Sequence, residues 1–358
     1  MDLRDNVRIN RTKMLDEAAI NHRPAHFINT FCIFLIVFFI VNLAREVLVT
    51  IPTAFYLITD DRFWEAMGQY IAGEIDKSQF TLVLDELGQN MPWYVILVSV
   101  LSSGFMILGA IIYCTKFEKR TIASLGLRKK NTNIVLEYGI GVVIGVAMFY
   151  FTLLIANAIG AITVEFNPNM SWTIILFLIA FIIQGAGEEI FLRGYLMTSV
   201  ARDYKISLAL IFSSAVFSLI HASNAGVSLL AFANIFLFGV FEGIYVLKRG
   251  NIWGACAIHS MWNFVQGNIY GSSVSGMSSM PSIFICTPNP TMDSASGGAF
   301  GIEGGFATTI IVLVAIGILL LVPPKKSELP DYELNRNTFN DQDNFDGYHD
   351  YSNFSDYN

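Results

Sequence analysis

Charged residues are scarce in this chain. They make up 14% of the 358 residues, whereas a soluble globular protein carries roughly 25%. Hydrophobic residues reach 54%, including 29 phenylalanines, and the mean hydropathy is +0.53. This composition excludes an ordinary soluble domain and predicts an integral membrane protein. The net charge of −7 does not favour nucleic acid, and we predict no nucleic-acid partner.

Cysteine pairs at a functional spacing are also lacking. The four cysteines are Cys32, Cys114, Cys256 and Cys286. No two of them have the spacing of a redox motif or of a zinc site, and three fall in apolar runs. The pattern therefore excludes a disulfide framework and predicts buried, unreactive thiols.

Long apolar runs dominate what is present. A helix needs about 20 mostly apolar residues to cross a bilayer. The candidate segments are 27–50, 93–115, 134–158, 172–200, 206–222, 227–247, 252–270 and 305–323. The sequence therefore predicts an all-α fold, a transmembrane bundle of eight helices.

Lysine and arginine alternate from one predicted loop to the next. They occur in the N-terminal arm, in the second, fourth and sixth loops and at the start of the tail. The first loop is largely acidic, and loops 159–171 and 271–304 contain neither residue. Cytoplasmic loops of membrane proteins are enriched in positive charge. We therefore predict an even number of crossings, with both termini in the cytoplasm.

Composition divides the chain into three parts. Residues 1–26 form a basic cytoplasmic arm, residues 27–323 a membrane domain, and residues 324–358 an acidic cytoplasmic tail. The tail has almost no aliphatic residues, so we expect it to be disordered. We also expect the Gly/Ser-rich loop 271–304 to be flexible.

Three apolar segments carry acid or base side chains well inside the predicted bilayer. These side chains and their polar neighbours are Glu188, Glu189, Arg193, His221, His259 and Asn263. At 1.5 Å per helical residue, Glu188 lies roughly 21 Å from the predicted cytoplasmic boundary, His221 roughly 24 Å and His259 roughly 15 Å. A charge at such depth costs several kcal/mol, so ionisable residues there usually pair, face a cavity and mark function. We predict that Glu188, His221 and His259 line one pocket.

Helical spacing gives the two adjacent glutamates different partners. Glu189 and Arg193 are four residues apart, share a helix face and are predicted to form an ion pair. Glu188 is rotated by about 100° and cannot share the same arginine. A buried carboxylate without a cation suits a general base, which makes Glu188 the candidate for that role.

The polar grouping fits hydrolysis of a peptide bond. Glu188 with His221 could take a proton from water, while His259 and Asn263, which share a helix face, could donate to the oxyanion. The same Glu188, His221 and His259 could instead hold a divalent metal such as zinc, because two histidines and a glutamate with an open position form a catalytic zinc site. The residues alone leave both alternatives open.

Three spaced motifs carry a family resemblance. They are EExxxR (Glu188–Arg193), FxxxH (Phe217–His221) and HxxxN (His259–Asn263), in this order on separate segments. The chain thereby resembles the CPBP intramembrane proteases, which include type II CAAX prenyl endopeptidases and bacterial Abi or bacteriocin-processing proteins. The stretches Phe238–Gly243 and Ser124–Arg128 are also similar to the family, so the resemblance covers roughly residues 120–270.

The resemblance implies a fold and a set of roles. It implies eight membrane helices around a cavity open to the cytoplasm. It implies that Glu188 is the essential carboxylate, that His221 helps it to activate water, and that His259 and Asn263 stabilise the oxyanion. Both metal-dependent and metal-free mechanisms are compatible with the resemblance.

Glu242 departs from the family pattern, which has a small or apolar residue at this place. We expect its carboxylate either to snorkel toward Lys248 and Arg249 or to add charge to the cavity. The spacing suggests no further role for it.

The sequence therefore predicts an intramembrane endopeptidase for a peptide or a lipid-anchored protein, surrounded by membrane lipids and located in a bacterial plasma membrane. One alternative is a non-catalytic scaffold or a bacteriocin-immunity protein with the same fold. Another is a transporter with a proton relay, although no internal repeat favours it. HExxH and Gly-x-Gly-Asp are absent, and Ser275–Gly276 lies in a predicted outer loop, which disfavours other classes of intramembrane protease.

Overall fold

The path of the chain is mostly helical. The computed structural model describes residues 11–20, 25–127, 132–278 and 280–326. Its helices are α1 (Lys13–Ala19), α2 (Phe27–Thr59), α3 (Asp61–Ile71), α4 (Lys77–Gln89), α5 (Trp93–Phe117), α6 (Ile134–Ala158), α7 (Ile174–Ala201), α8 (Ile206–Leu219), α9 (Leu229–Arg249), α10 (Trp253–Phe264), α11 (Asp293–Ser296) and α12 (Phe306–Leu321). Most of the predicted basic arm and of the acidic tail lies outside the described residues, so the disorder of the tail stays a prediction.

Five helices are long and apolar enough to cross a membrane, namely α2, α5, α6, α7 and α9. Two further apolar helices, α8 and α12, are shorter. The remaining predicted span corresponds to α10 and the π-helical segment Val265–Ile269 that continues it. The structure thus confirms a multi-pass, mainly helical membrane protein. The count of eight crossings and the cytoplasmic location of both termini stay predictions.

Two predicted helix ends differ most from the structure. The first span was expected over 27–50, but α2 continues to Thr59 with Pro52 inside it. Its extension is apolar, and Tyr56 packs against Leu87 and Val95. The fifth span was expected over 206–222, but α8 ends at Leu219, so His221 lies in the turn after the helix.

The Gly/Ser-rich loop 271–304 is folded, which the sequence did not predict. Its strand β2 (Phe284–Pro288) pairs antiparallel with β1 (Ile162–Phe166), with Val164 opposite Cys286. The all-α prediction therefore missed a two-stranded sheet that joins two predicted outer loops. The loop also buries Ala295, Phe300 and Ile302 against the helices.

The segment after α5 supports the C-terminal half of α7. Arg120 donates to the hydroxyls of Ser124 (3.0 Å) and Ser199 (2.9 Å). Arg202 donates to both oxygens of Glu118 at 3.0 and 2.9 Å. Burial by itself would raise the pKa of Glu118, but Arg202 and Arg120 outweigh it and hold the pKa below its usual range.

Glycines allow α10 to lie close against α6 and α7. A Cβ atom at Gly141 would stand 2.2 Å from the carbonyl oxygen of Gly254, and one at Gly145 would stand 2.5 Å from that of Ile258. On α7, a Cβ at Gly185 would stand 2.5 Å from the hydroxyl of Ser260. Small residues let membrane helices pack backbone to backbone. Helix α10 therefore sits where only glycine fits on its two neighbours.

This packing predicts different effects for two glycines of α6. We expect Gly145→Ala to lower the thermal unfolding midpoint in detergent, because overpacking costs about 1–3 kcal/mol. Gly139→Ala is the matched control, since a Cβ there meets nothing within 4 Å. Equal midpoints for the two variants would contradict the close approach of α6 and α10.

Candidate active site

Helix α7 changes its winding next to the glutamate pair. It is α-helical as far as Glu189 and π-helical from Ile190 to Met197. Single π-helical stretches inside α-helices are frequent at functional sites. Glu188 and Glu189 are both buried at this junction.

Glu189 joins two helices through one oxygen. Its Oε1 accepts a hydrogen bond from Nη1 of Arg193 and one from Nδ1 of His259, each at 2.9 Å. The side chains of Glu189 and Arg193 are completely buried, and the guanidinium carbon of Arg193 lies 4.5 Å from the centre of the Phe217 ring. Since Nδ1–H of His259 is used in this way, its Nε2 is the atom that faces the cavity.

His221 is oriented by its own turn. Its Nδ1 donates to the carbonyl oxygen of Phe217 at 2.8 Å, and the two rings meet edge to face with centres 4.9 Å apart. The phenyl ring of Phe217, one helical turn earlier, thus contacts this imidazole. Nε2 of His221 is thereby left to point at Glu188.

The two imidazoles converge on Glu188. Nε2 of His259 lies 3.7 Å and Nε2 of His221 lies 3.9 Å from Oε2 of Glu188. Among the described residues, this oxygen has no hydrogen-bond partner. In the neutral rings all three atoms are acceptors, because both Nδ1 atoms carry the proton. A water molecule, which can donate two hydrogen bonds, therefore suits the space between these atoms.

Gln184 is a site residue that the sequence analysis missed. Its Nε2 donates to Oε1 of Glu188 at 2.7 Å, and its Oε1 accepts from Nδ2 of Asn263 at 2.9 Å. It therefore fixes the carboxylate and the amide relative to each other. The signal was present, because Gln184 is a polar residue one helical turn before Glu188 in an otherwise apolar run.

Glu188 and the two imidazoles, together with the amides of Gln184 and Asn263, line a cavity of about 500 Å³. Helix α2 adds Asn42 and Arg45 to the wall, and the loop residues that line it in the described part of the chain include Asn224, Ser275 and Glu303. All loop residues of the lining come from predicted outer loops. The cavity thus extends toward the predicted outer side, and the cytoplasmic opening implied by the resemblance stays a prediction.

Glu242 does neither of the things expected of it. Its carboxylate is completely buried, it does not line the cavity, and both oxygens lack a hydrogen-bond partner in the described chain. Lys248 instead donates to the carbonyl oxygens of Leu320 and Val322, and Arg249 binds Glu137 on α6. Both cations are thus bound to other groups.

The site contains side chains of the types that bind zinc. Glu188, His221 and His259 are ligand types that zinc accepts, and each imidazole has its second nitrogen bonded to an acceptor, as metal-bound histidines do. Within the residues that the structure describes, however, no group of three or more His, Cys, Asp or Glu is arranged to hold a metal ion. The mechanism proposed below therefore uses no metal ion.

Comparison with known proteins supports one family. Residues 170–265 match the family model described as type II CAAX prenyl endopeptidase Rce1-like. This match confirms the family resemblance predicted from the three motifs, all of which lie inside it, whereas Ser124–Arg128 lies outside. No curated protein and no solved structure gives a significant match to the chain.

The buried ion pair predicts a non-additive pair of substitutions. Arg193→Met leaves the Glu189 carboxylate buried without its cation, and we expect a loss of about 3–5 kcal/mol in unfolding free energy. The double variant with Glu189→Met should recover much of this loss, because the unpaired charge is gone. Thermal unfolding in detergent measures both.

Arg62→Met is the matched control, since the exposed Arg62 pairs with Asp60 and its loss should leave the unfolding midpoint nearly unchanged. Strictly additive losses in the double variant would contradict a paired role for Glu189 and Arg193.

Proposed function

We propose that this protein is an intramembrane endopeptidase of the CPBP, or CAAX protease, type. The family match supports a peptidase, and the long apolar helices support a multi-pass membrane protein. The observation that carries the specific proposal is the approach of both imidazole Nε2 atoms to within 4 Å of Oε2 of Glu188 in one cavity.

Glu188 is the base in this proposal. Its Oε2 takes a proton from a water molecule that His221 holds through Nε2, and the water oxygen attacks the carbonyl carbon of the peptide bond. Gln184 keeps Oε1 of the same carboxylate fixed, so that Oε2 stays directed at the water. The attack produces a tetrahedral oxyanion inside the cavity.

His259 and Asn263 stabilise the oxyanion. In its doubly protonated form His259 donates through Nε2, while its Nδ1–H remains on Glu189. Asn263 gives one amide hydrogen to Gln184 and has a second one available for the oxyanion. Preorganised donors of this kind contribute a large share of hydrolytic catalysis.

The substrate class follows from the family and from the depth of the site. We propose a prenylated or otherwise membrane-anchored protein or peptide, and a bacterial plasma membrane as the location. The alternative of a non-catalytic scaffold or immunity protein lacks support, because the matching family is one of proteases. The same applies to the transporter.

Glu188→Gln tests the proposal directly. We expect a loss of at least about 100-fold in the rate of cleavage of a farnesylated, internally quenched peptide by the protein in liposomes, because the amide cannot accept the proton. Glu74→Gln, at an exposed position of the first loop, is the matched control and should keep full activity. Equal cleavage by the Glu188 variant would exclude the proposed function.

A metal-free mechanism has its own test. We expect activity to survive dialysis against a chelator and the purified protein to contain no stoichiometric divalent metal by elemental analysis. One zinc per chain, lost in Glu188→Gln, together with activity that chelation removes and zinc restores, would instead assign Glu188, His221 and His259 as ligands.

A further inference from the structure

A second carboxyl group, that of Glu303, faces the cavity that holds Glu188. Glu303 lies in the 3₁₀ turn Ile302–Gly304 just before α12. Its Oε1 accepts from the backbone N–H of Ser275 and from the Ser275 hydroxyl, the latter at 2.9 Å. Its main-chain carbonyl accepts from Nδ2 of Asn234 at 2.8 Å. The side chain is therefore fixed at both ends.

The support of Glu303 is tied to the turn that carries His221. Nδ2 of Asn224 donates to the carbonyl oxygen of Ser275 at 2.9 Å. The backbone N–H of Asn224 donates to the carbonyl oxygen of His221 at 3.1 Å. Ser275 and Gly276 are the central residues of a tight turn between Val274 and Met277, which accounts for the left-handed conformation of Ser275 with φ of 47°.

The second oxygen of Glu303 is the available one. Oε2 receives no hydrogen bond from the described residues, and it is not closed off from the cavity. Both imidazoles lie within electrostatic reach of the carboxyl group. Burial raises the pKa of Glu303, although the two hydrogen bonds from Ser275 oppose the shift. A carboxyl group with a raised pKa can hold a proton for transfer.

Cleavage of a peptide bond needs this second transfer. The carbon–nitrogen bond of the tetrahedral intermediate breaks readily only when the nitrogen receives a proton, because an amide anion is a poor leaving group. Glu188 has by then accepted the proton of the attacking water and points at the two imidazoles. A separate acid in the lining of the same cavity would supply this proton.

We propose that Glu303 is the general acid that protonates the leaving amine, a role that rests on the proposed function. The water oxygen bonds to the carbonyl carbon as Glu188 takes one water proton. The carbon–nitrogen bond then breaks as Oε2 of Glu303 gives its proton to the nitrogen. Water in the cavity then carries the proton from Glu188 to the ionised Glu303, which restores both groups.

The leaving group provides the test. Glu303→Gln keeps an Oε1 acceptor for Ser275 and replaces only Oε2, so the fold should be retained. Cleavage of a farnesylated peptide is compared with cleavage of the same sequence carrying an ester at the scissile bond, because an alkoxide leaves more readily than an amide anion. We expect kcat for the amide to fall on the order of 100-fold at unchanged KM, and kcat for the ester to fall by less than about fivefold.

Three comparisons make the outcome decisive. Glu188→Gln should slow amide and ester alike, and Glu165→Gln, an exposed acid on β1, should slow neither. Ser275→Ala, which removes one of the two bonds to Oε1, should give an intermediate effect on the amide alone. Equal effects of Glu303→Gln on both substrates, or none on either, would overturn the role of Glu303 while leaving the proposed function intact. Failure of the wild-type protein to cleave either substrate would instead overturn the proposed function itself.

Discussion

One carboxylate oxygen, Oε1 of Glu189, is the point on which the arrangement of this site depends. It receives hydrogen bonds from Arg193 on its own helix and from His259 on α10. Arg193 in turn lies over the ring of Phe217 on α8, so three helices are linked around one buried charge. A buried ion pair adds little net stability, but its loss is costly, and this asymmetry favours one mutual arrangement of the helices.

The ionic link works only because the helices can approach closely. Gly185 on α7 meets the backbone of Ser260, the residue after His259. Any side chain at that glycine would move α10 outward and lengthen the bond between Glu189 and His259. The spacing of these two polar atoms inside the helical bundle is thus set by a backbone contact next to them.

Contacts between near neighbours in sequence were predictable, and contacts through the loops were not. The spacing of four residues brings Glu189 to Arg193 and Phe217 to His221, and the structure shows both contacts. Glu303 lies 82 residues beyond His221, and no periodicity relates the two. Its position depends on how loop 271–304 folds, and local patterns carry little information on that.

The two strands show the same limit. The stretches ITVEF and FICTP contain the β-branched and aromatic residues typical of strands. They pair across more than one hundred residues, however, and no local pattern relates them. The pairing orders a segment whose glycine and serine content suggested flexibility.

The length of α2 has a mechanical consequence. Its 33 residues extend about 50 Å, which exceeds the roughly 30 Å of hydrocarbon in a bilayer. Such a mismatch is relieved by leaning of the helix or by local swelling of the lipid. The C-terminal end of α2 is packed against α4 and α5, whereas Phe38, Asn42 and Arg45 in the middle of the helix form part of the cavity wall. A bilayer thickness that changed the tilt of α2 would therefore also change the shape of the cavity.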